Sequence, residues 1–373
     1  MRFTMLRLKQ FRNYPELAFA PDAGTTVLYG ENGAGKTNLL EAMHLLSLGR
    51  SHRTASDRDM IAEGCDAAFA RAETERADGR HDVEVRLYPT GAPQKRVLLY
   101  GKPALRIGDM MGHATCVMFS PEDARIVRDG PAARRRFLDM QLCQIRPAYL
   151  RALRMYLSAL DNRNALLKRN RLSPMPDFAM QLDAWDEQLA QAAAPVVEAR
   201  RWFLALLHEC ASERYAAIAE DRGESLALRY AGALAASDQP ARQMLAGLRR
   251  AREEDARRLF TSFGPHRDDF EMTLSGRELR VFGSQGQIRT AALSLKLGEM
   301  TLIRREMGEY PALLLDDVFS ELDARRRNAL LRSAEGVQTF ITCTDRQDAA
   351  GAKASVYLRV ERDAEGKGTL REA

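Results

Sequence analysis

Three short stretches carry residue types whose spacing suits phosphate chemistry. Gly30-Glu31-Asn32-Gly33-Ala34-Gly35-Lys36-Thr37 satisfies the pattern G-x-x-x-x-G-K-[ST]. Gly30, Gly33 and Gly35 let backbone N–H groups converge on phosphate oxygens with no Cβ in the way, and a helix opening here turns its positive dipole end toward the anion. In that pattern Lys36 holds the β- and γ-phosphates of a nucleoside triphosphate, Thr37 offers its hydroxyl to Mg²⁺, and Asn32 and Asn38 flank the cradle. Such a loop needs a carboxylate on a neighbouring strand. The apolar run Ala312-Leu313-Leu314-Leu315 ends in Asp316 and Asp317, where Asp316 would hold the metal and Asp317 would polarise the attacking water as general base. The third stretch is Gly283-Ser284-Gln285-Gly286-Gln287, just ahead of a helical pattern: a hydroxyl, a bare glycine backbone and a helix start make a second anion site. Two such sites in one chain share one nucleotide only if two copies face each other.

These residues need elements to position them. Thr25 to Tyr29 is a β-branched, apolar run leading into the glycine loop, and Asn38 to Leu48 places Leu39, Leu40, Met43 and Leu46 at helical spacing, so strand, loop and helix follow in order. Alternation at Phe3 to Phe11, strands at His81 to Tyr88 and Lys95 to Tyr100 around a Thr90-Gly91 turn, and a buried strand at Thr115 to Phe119 complete the first part. Ser120-Pro121-Glu122-Asp123 reads as a helix start. From there to Phe260 the chain is rich in Ala, Leu and Arg at 3.6-residue periods, broken at Leu172 to Pro176 and at Asp221-Arg222-Gly223. Strand signals return at Asp269 to Leu274 and Glu278 to Phe282, then a helix at Gln287 to Met307, strands at Pro311 to Asp317 and Val337 to Cys343, and between them a helix that Asp323 caps. The expectation is an α/β lobe built from both ends of the chain, residues 1–120 and 261–373, interrupted by a mainly helical insertion at 121–260.

Composition narrows the class further. At 373 residues, 45% hydrophobic and 29% charged, the chain is an ordinary folded globular protein with room for two lobes. Its five cysteines are widely separated with no CxxC pair, which indicates neither a zinc knuckle nor a disulfide framework. No stretch approaches the length of a membrane span and the first residues lack a signal-peptide core, so a cytoplasmic protein with no membrane partner is expected. The net charge of +5 is concentrated. Between Glu122 and Arg171 twelve basic residues face five acidic ones, which makes that window +7 and leaves the rest of the chain at −2. Arg134, Arg135 and Arg136 head this window and are candidates for contact with DNA phosphates, the alternative being a solvated helix face.

The Ser284-Gln285-Gly286-Gln287 segment resembles the Ser-x-Gly-Gln signature of ABC-type ATPases, whose serine, glycine and helix start contact the γ-phosphate bound by the opposing subunit. Ser320-Glu321-Leu322-Asp323 looks like the D-loop of that class, with Ser320 and Asp323 as its polar members. A more specific resemblance spans almost the whole chain. Leu8 to Tyr14, the GENGAGKTNLLEA stretch, Ser51-His52-Arg53-Thr54, Phe119 to Asp123, Pro131 to Asp139, Gly264-Pro265-His266-Arg267-Asp268-Asp269 and LLLDDVFSELD are similar to the RecF family of bacterial recombination mediators. That resemblance implies an ABC-type P-loop ATPase head with a helical second lobe. It also implies slow, DNA-dependent ATP hydrolysis coupled to homodimerisation on DNA, whether at single-stranded gaps, on duplex or at junctions, and assistance to RecR, with RecO, in loading RecA at single-stranded gaps during repair and replication restart. By the same resemblance His52, Arg53 and His266 are candidate site residues; for His266 a structural, hydrogen-bonded role is equally consistent. Two departures stand out: Ile288 follows Gln287 where relatives often carry a second glutamine, and Thr342, Thr344 and Asp345 occupy the neighbourhood of the ABC switch histidine. A transporter subunit fits the basic insertion poorly, and an insertion of this length interrupted by Pro174 and Pro176 is too short for the coiled-coil arms of chromosome-maintenance proteins.

Overall fold

The computed structural model describes residues 1–91, 93–219 and 223–372. Its strands in chain order are β1 (Arg2–Phe11), β2 (Tyr14–Phe19), β3 (Thr25–Tyr29), β4 (Ala68–Arg76), β5 (Gly79–Leu87), β6 (Lys95–Leu99), β7 (Lys102–Pro103), β8 (Cys116–Phe119), β9 (Leu226–Ala231), β10 (Asp269–Leu274), β11 (Arg277–Glu278), β12 (Ala312–Asp316), β13 (Thr339–Cys343), β14 (Ala354–Arg362) and β15 (Gly368–Glu372). The α-helices are α1 (Lys36–Leu48), α2 (Ala124–Arg128), α3 (Pro131–Ile145), α4 (Pro147–Leu172), α5 (Phe178–Ala219), α6 (Pro240–Arg258), α7 (Leu279–Phe282), α8 (Gln285–Met307) and α9 (Ala324–Ser333). Among the described residues no helix is long and apolar enough to cross a membrane.

The chain divides into two compact units: Met1–Ala124 with Glu213–Asp221 and Arg289–Ala373, and Arg125–Ser212 with Arg222–Ile288. In the first, a six-stranded sheet runs β15-β14-β3-β13-β12-β8, parallel except for the β14–β15 hairpin, and a second, antiparallel sheet runs β2-β1-β4-β5-β6-β7. Helix α1 packs against strands of both, and one apolar cluster joins Leu6, Leu8 and Phe11 to Leu39, Leu40 and Met43 and to Leu314 and Phe340. A strand covered on both faces is buried along its whole length, which is what Ala312 to Leu315, all apolar, and Thr339 to Cys343 show.

In the second unit the helices α3 to α6 are joined by the three-stranded antiparallel sheet β11-β10-β9. The expected boundary near residue 261 is therefore wrong: β10 pairs with β9 along its whole length, from Asp269↔Ala231 to Leu274↔Leu226, so the hairpin region stays with the insertion. The expected strand Glu278 to Phe282 is likewise replaced by the short β11 and a helical turn. The amide of Gly283 closes that turn on the carbonyl of Leu279 at 2.9 Å, an approach that a Cβ at 283 would block, since it would lie 2.4 Å from that oxygen. The break anticipated at Asp221-Arg222 lies outside the described residues.

The interior of this unit is held by ion pairs as well as apolar contacts. Arg163, fully buried on α4, donates to Asp186 of α5 at 2.6 Å and to Asp255 of α6 at 2.7 Å. Removing one member of such a group leaves uncompensated buried charge. Arg163→Ala is therefore expected to cost about 3–5 kcal/mol, read as a lower midpoint of denaturant unfolding. Arg169→Ala, exposed on the same helix, should leave the midpoint in place.

Candidate functional site

The loop from Gly30 to Gly35 adopts backbone angles that favour glycine: φ is 148° at Gly30, 81° at Gly33 and 121° at Gly35. A Cβ on Gly30 would lie 2.2 Å from the carbonyl oxygen of Val360 in β14, and one on Gly35 would strike Asn13 and Tyr14 at 2.6–2.8 Å. The cradle is thus shaped by glycine at the points where other strands close on it. Helix α1 begins at Lys36 with no side-chain cap and no acidic residue in its first turn, which leaves its dipole end open to an anion. Lys36, 8% exposed, reaches back to the carbonyls of Gly30 at 2.5 Å and Glu31 at 2.9 Å. Burial lowers its pKa, and the nearby carboxyls of Asp317 and Asp316 oppose that shift.

The two aspartates sit where the strand register puts them. Asp316 lies beside Thr342 of β13, whose own neighbour is Leu28 of β3, just before the glycine loop. Its Oδ1 accepts the Thr37 hydroxyl at 2.8 Å, so the two residues expected to share a metal are already in contact. These are hard oxygen donors of the kind Mg²⁺ prefers, and they adjoin the phosphate cradle, so the pair fits that ion. Asp317 takes a left-handed backbone, φ 51°, at a cost on the order of 1–2 kcal/mol for a non-glycine residue. Its carboxyl is exposed at the cleft, and partial desolvation followed by the charge of Asp316 raises its pKa.

Lys36, Thr37, Asn32, Asn38 and Asp317 line one cleft of about 470 Å³, together with Arg12, Asn13, Arg53, Asp59, Ile61 and Arg362. Several of these were not anticipated as site residues, and they carry the loop's support. Asn13 donates to the carbonyl of Ala34 at 2.8 Å and accepts from Asn38 at 2.8 Å, while the Tyr14 hydroxyl donates to Gly35 O at 3.1 Å. Arg12 forms a two-pronged pair with the buried Glu41 of α1 at 2.8 and 2.7 Å. Arg53 enters the cleft and donates to Asn38 at 2.9 Å. His52 does not line the cleft; its ring meets that of His44 edge to face, 5.2 Å between centroids.

Ser284 and Gln287 form a capping box at the start of α8: the Ser284 amide donates to Gln287 Oε1 at 2.8 Å and Gln287 N–H to Ser284 Oγ at 3.2 Å. Gln287 also donates to Glu224 at 2.7 Å, and Gly286 sits in the first turn. Ser284 is exposed, as are the apolar Val281 and Phe282 just before it, and Ile288 is buried. At the D-loop, Ser320 donates to the carbonyl of Asp317 at 2.9 Å, and Asp323 caps α9 by accepting from the Arg326 amide.

The arginine cluster is only partly a surface. Arg134 is 5% exposed and forms a bidentate pair with Asp269, both bonds at 2.7 Å, and a further bond to the carbonyl of Asp129. Its guanidinium is spent inside the unit, so it is withdrawn as a DNA contact. Arg135, half-buried, donates to the Asp268 carbonyl at 2.7 Å, and Arg136 alone of the three is exposed. His266 is likewise structural: Nδ1 lies 2.5 Å from the Tyr156 hydroxyl and Nε2 2.9 Å from Thr261 O, and burial lowers its pKa to about 4.

A glycine loop opening a helix between parallel strands, with a carboxylate on the next strand but one and a Ser-x-Gly-Gln helix start elsewhere in the chain, defines an ABC-type ATPase head. Residues 2–367 match the model of the RecF/RecN/SMC N-terminal domain. The DNA replication and repair protein RecF of Symbiobacterium thermophilum is 42% identical over 355 residues, 93% of this chain and 92% of its own length. That of Acetivibrio thermocellus is 37% identical over 368 residues, 97% and 98%. Among solved structures, the recombination mediator protein RecF-ATP in the RecFOR pathway superposes with a TM-score of 0.91 at 32% identity, covering 100% of this chain and 97% of that one. The Smc head of Pyrococcus furiosus, at TM-score 0.57 and 17% identity over 100% and 96%, shares the fold. The chain belongs to the RecF family.

Proposed function

We propose that this protein is an ATP-gated clamp on DNA: a recombination mediator that dimerises on binding ATP, hydrolyses it slowly in a DNA-dependent way, and with RecR and RecO helps place RecA at single-stranded gaps. The observation that carries the reading is the exposed Ser284 at a helix start, a hydroxyl and helix N-terminus of the kind that receives anions, which is not among the residues lining the phosphate cleft of Lys36, Thr37 and Asp317. A second copy would bring its Ser284, Gly286 and Gln287 to the γ-phosphate, with Ser320 and Asp323 of the D-loop beside the seam. The exposed Val281 and Phe282 supply apolar area next to that contact.

Within one head each residue has a separable task. Lys36 and the loop amides bind the β- and γ-phosphates; Thr37 and Asp316 would hold Mg²⁺, which when bound neutralises charge on the phosphate oxygens. Asp317 accepts a proton from the attacking water, for which its raised pKa and its place at the cleft suit it. On the second unit the exposed Arg136 and the half-buried Arg135, which donates to the Asp268 carbonyl, are the candidates for DNA phosphate contact.

Light scattering with and without ATP-Mg²⁺, alongside affinity for gapped, single-stranded and duplex DNA, tests the proposal. A shift toward dimer and tighter DNA binding with ATP are expected; neither occurring would sink it. Ser284→Arg should abolish the shift while each monomer still binds ATP. Normal dimerisation by that variant would mean that Ser284 lies away from the seam.

A further inference from the structure

Thr342 carries a link between the two aspartates that the phosphate cradle does not explain. It lies on β13 in register with Asp316 of β12, and it is 1% exposed. Its Oγ1 donates to Asp316 Oδ1 at 2.8 Å and accepts the backbone N–H of Asp317 at 2.9 Å. One hydroxyl thus spends its single proton on the metal-side carboxylate and a lone pair on the backbone of the general base. The same Oδ1 accepts the Thr37 hydroxyl at 2.8 Å, so two hydroxyls converge on one carboxylate oxygen. The other acceptor of Thr342, the carbonyl of Leu315, is much farther off at 3.5 Å. Asp317, for its part, holds a left-handed conformation that a residue with a Cβ keeps only where its surroundings over-determine it.

We propose that Thr342 is a positioning residue of the hydrolytic site. Its hydroxyl holds Asp316 in place beside Thr37 and pins Asp317 in the backbone geometry that presents its carboxylate to the cleft. The inference rests on the reading of Asp317 as general base and deepens it.

The test compares Thr342→Val, which keeps the shape and removes the hydroxyl, with Thr342→Ser, which keeps the hydroxyl, and uses Asp317→Asn as reference. ATP affinity and single-turnover hydrolysis are measured for each, with thermal melting as the check on folding. Thr342→Val should bind ATP-Mg²⁺ within about threefold of the parent and hydrolyse it about 10- to 100-fold more slowly, the range expected when a reacting group is misplaced but not removed. Thr342→Ser should restore hydrolysis to within about threefold. Parental hydrolysis by Thr342→Val overturns the proposal, and so does equal loss in the serine variant, which would make the methyl group the important part. Equal loss of binding and hydrolysis in Thr342→Val overturns it too, since the role would then be structural. If Asp317→Asn hydrolyses normally, the assignment of the base fails and takes this inference with it; if only Thr342→Val does, the base stands and the positioning role alone fails.

Discussion

Replacing Lys36 with alanine is expected to weaken ATP binding by about 100-fold or more, with the fold retained. The ammonium is the one cation that the loop itself carries, and two carbonyls of that loop already hold it in place, at 2.5 and 2.9 Å. Hydrogen bonds to charged groups contribute roughly 1.5–3 kcal/mol each, and two to phosphate oxygens together exceed the 2.8 kcal/mol or so that separates hundredfold affinities. Removing Lys36 also takes away the cation that Asp317 and Asp316 face, so their charge weighs more heavily against an incoming triphosphate. Calorimetric titration with ATP-Mg²⁺ reads the effect directly. Affinity within a few-fold of the parent would show that the triphosphate is held elsewhere.

The second large effect concerns turnover. Asp317→Asn is expected to slow hydrolysis about 10²- to 10⁴-fold, the usual worth of a positioned general base, while ATP affinity stays close to that of the parent. Asparagine keeps the size and tolerates the left-handed backbone found at this position, so the change removes the proton acceptor and little else. A clamp that closes on ATP and opens on hydrolysis should then stay closed, and the variant should remain dimeric on DNA long after the parent has dissociated. Rapid hydrolysis by Asp317→Asn would move the base to another group. Hydrolysis lost together with ATP binding would mean that Asp317 serves the ground state.

The nucleotide cradle was legible from the residues alone because its physics is local: the glycines, Lys36 and the strand and helix on either side lie within about two dozen positions. The Asp316 strand was legible for a related reason, since burial on both faces makes such a strand uniformly apolar. What escaped depends on distant partners. Strand β4 alternates small alanines with polar residues and carries little β-branched character, so its place at the centre of the antiparallel sheet shows only in its pairings with β1 and β5. The hairpin β14–β15 gave no motif, although Val360 within it shapes the glycine loop. Charge counting found the basic window but not which arginines are spent internally, because the partner of Arg134, Asp269, is 135 positions away. Likewise Arg12 and Glu41 read separately as an arginine after a strand and a glutamate in a helix; only the fold brings them together under the cleft.

Strand β3, which leads into the cradle, is flanked in its sheet by β13 and β14, both far downstream in the sequence. Gln338 binds the amide and the carbonyl of Phe3, 335 positions apart. During translation, then, this apolar strand is made well before its partners, with the whole of the second unit emerging in between. Contacts of such long sequence separation form slowly and leave unpaired edges exposed meanwhile. The glycine loop accordingly reaches its final shape only after β14 has been made, since the Val360 carbonyl closes on Gly30.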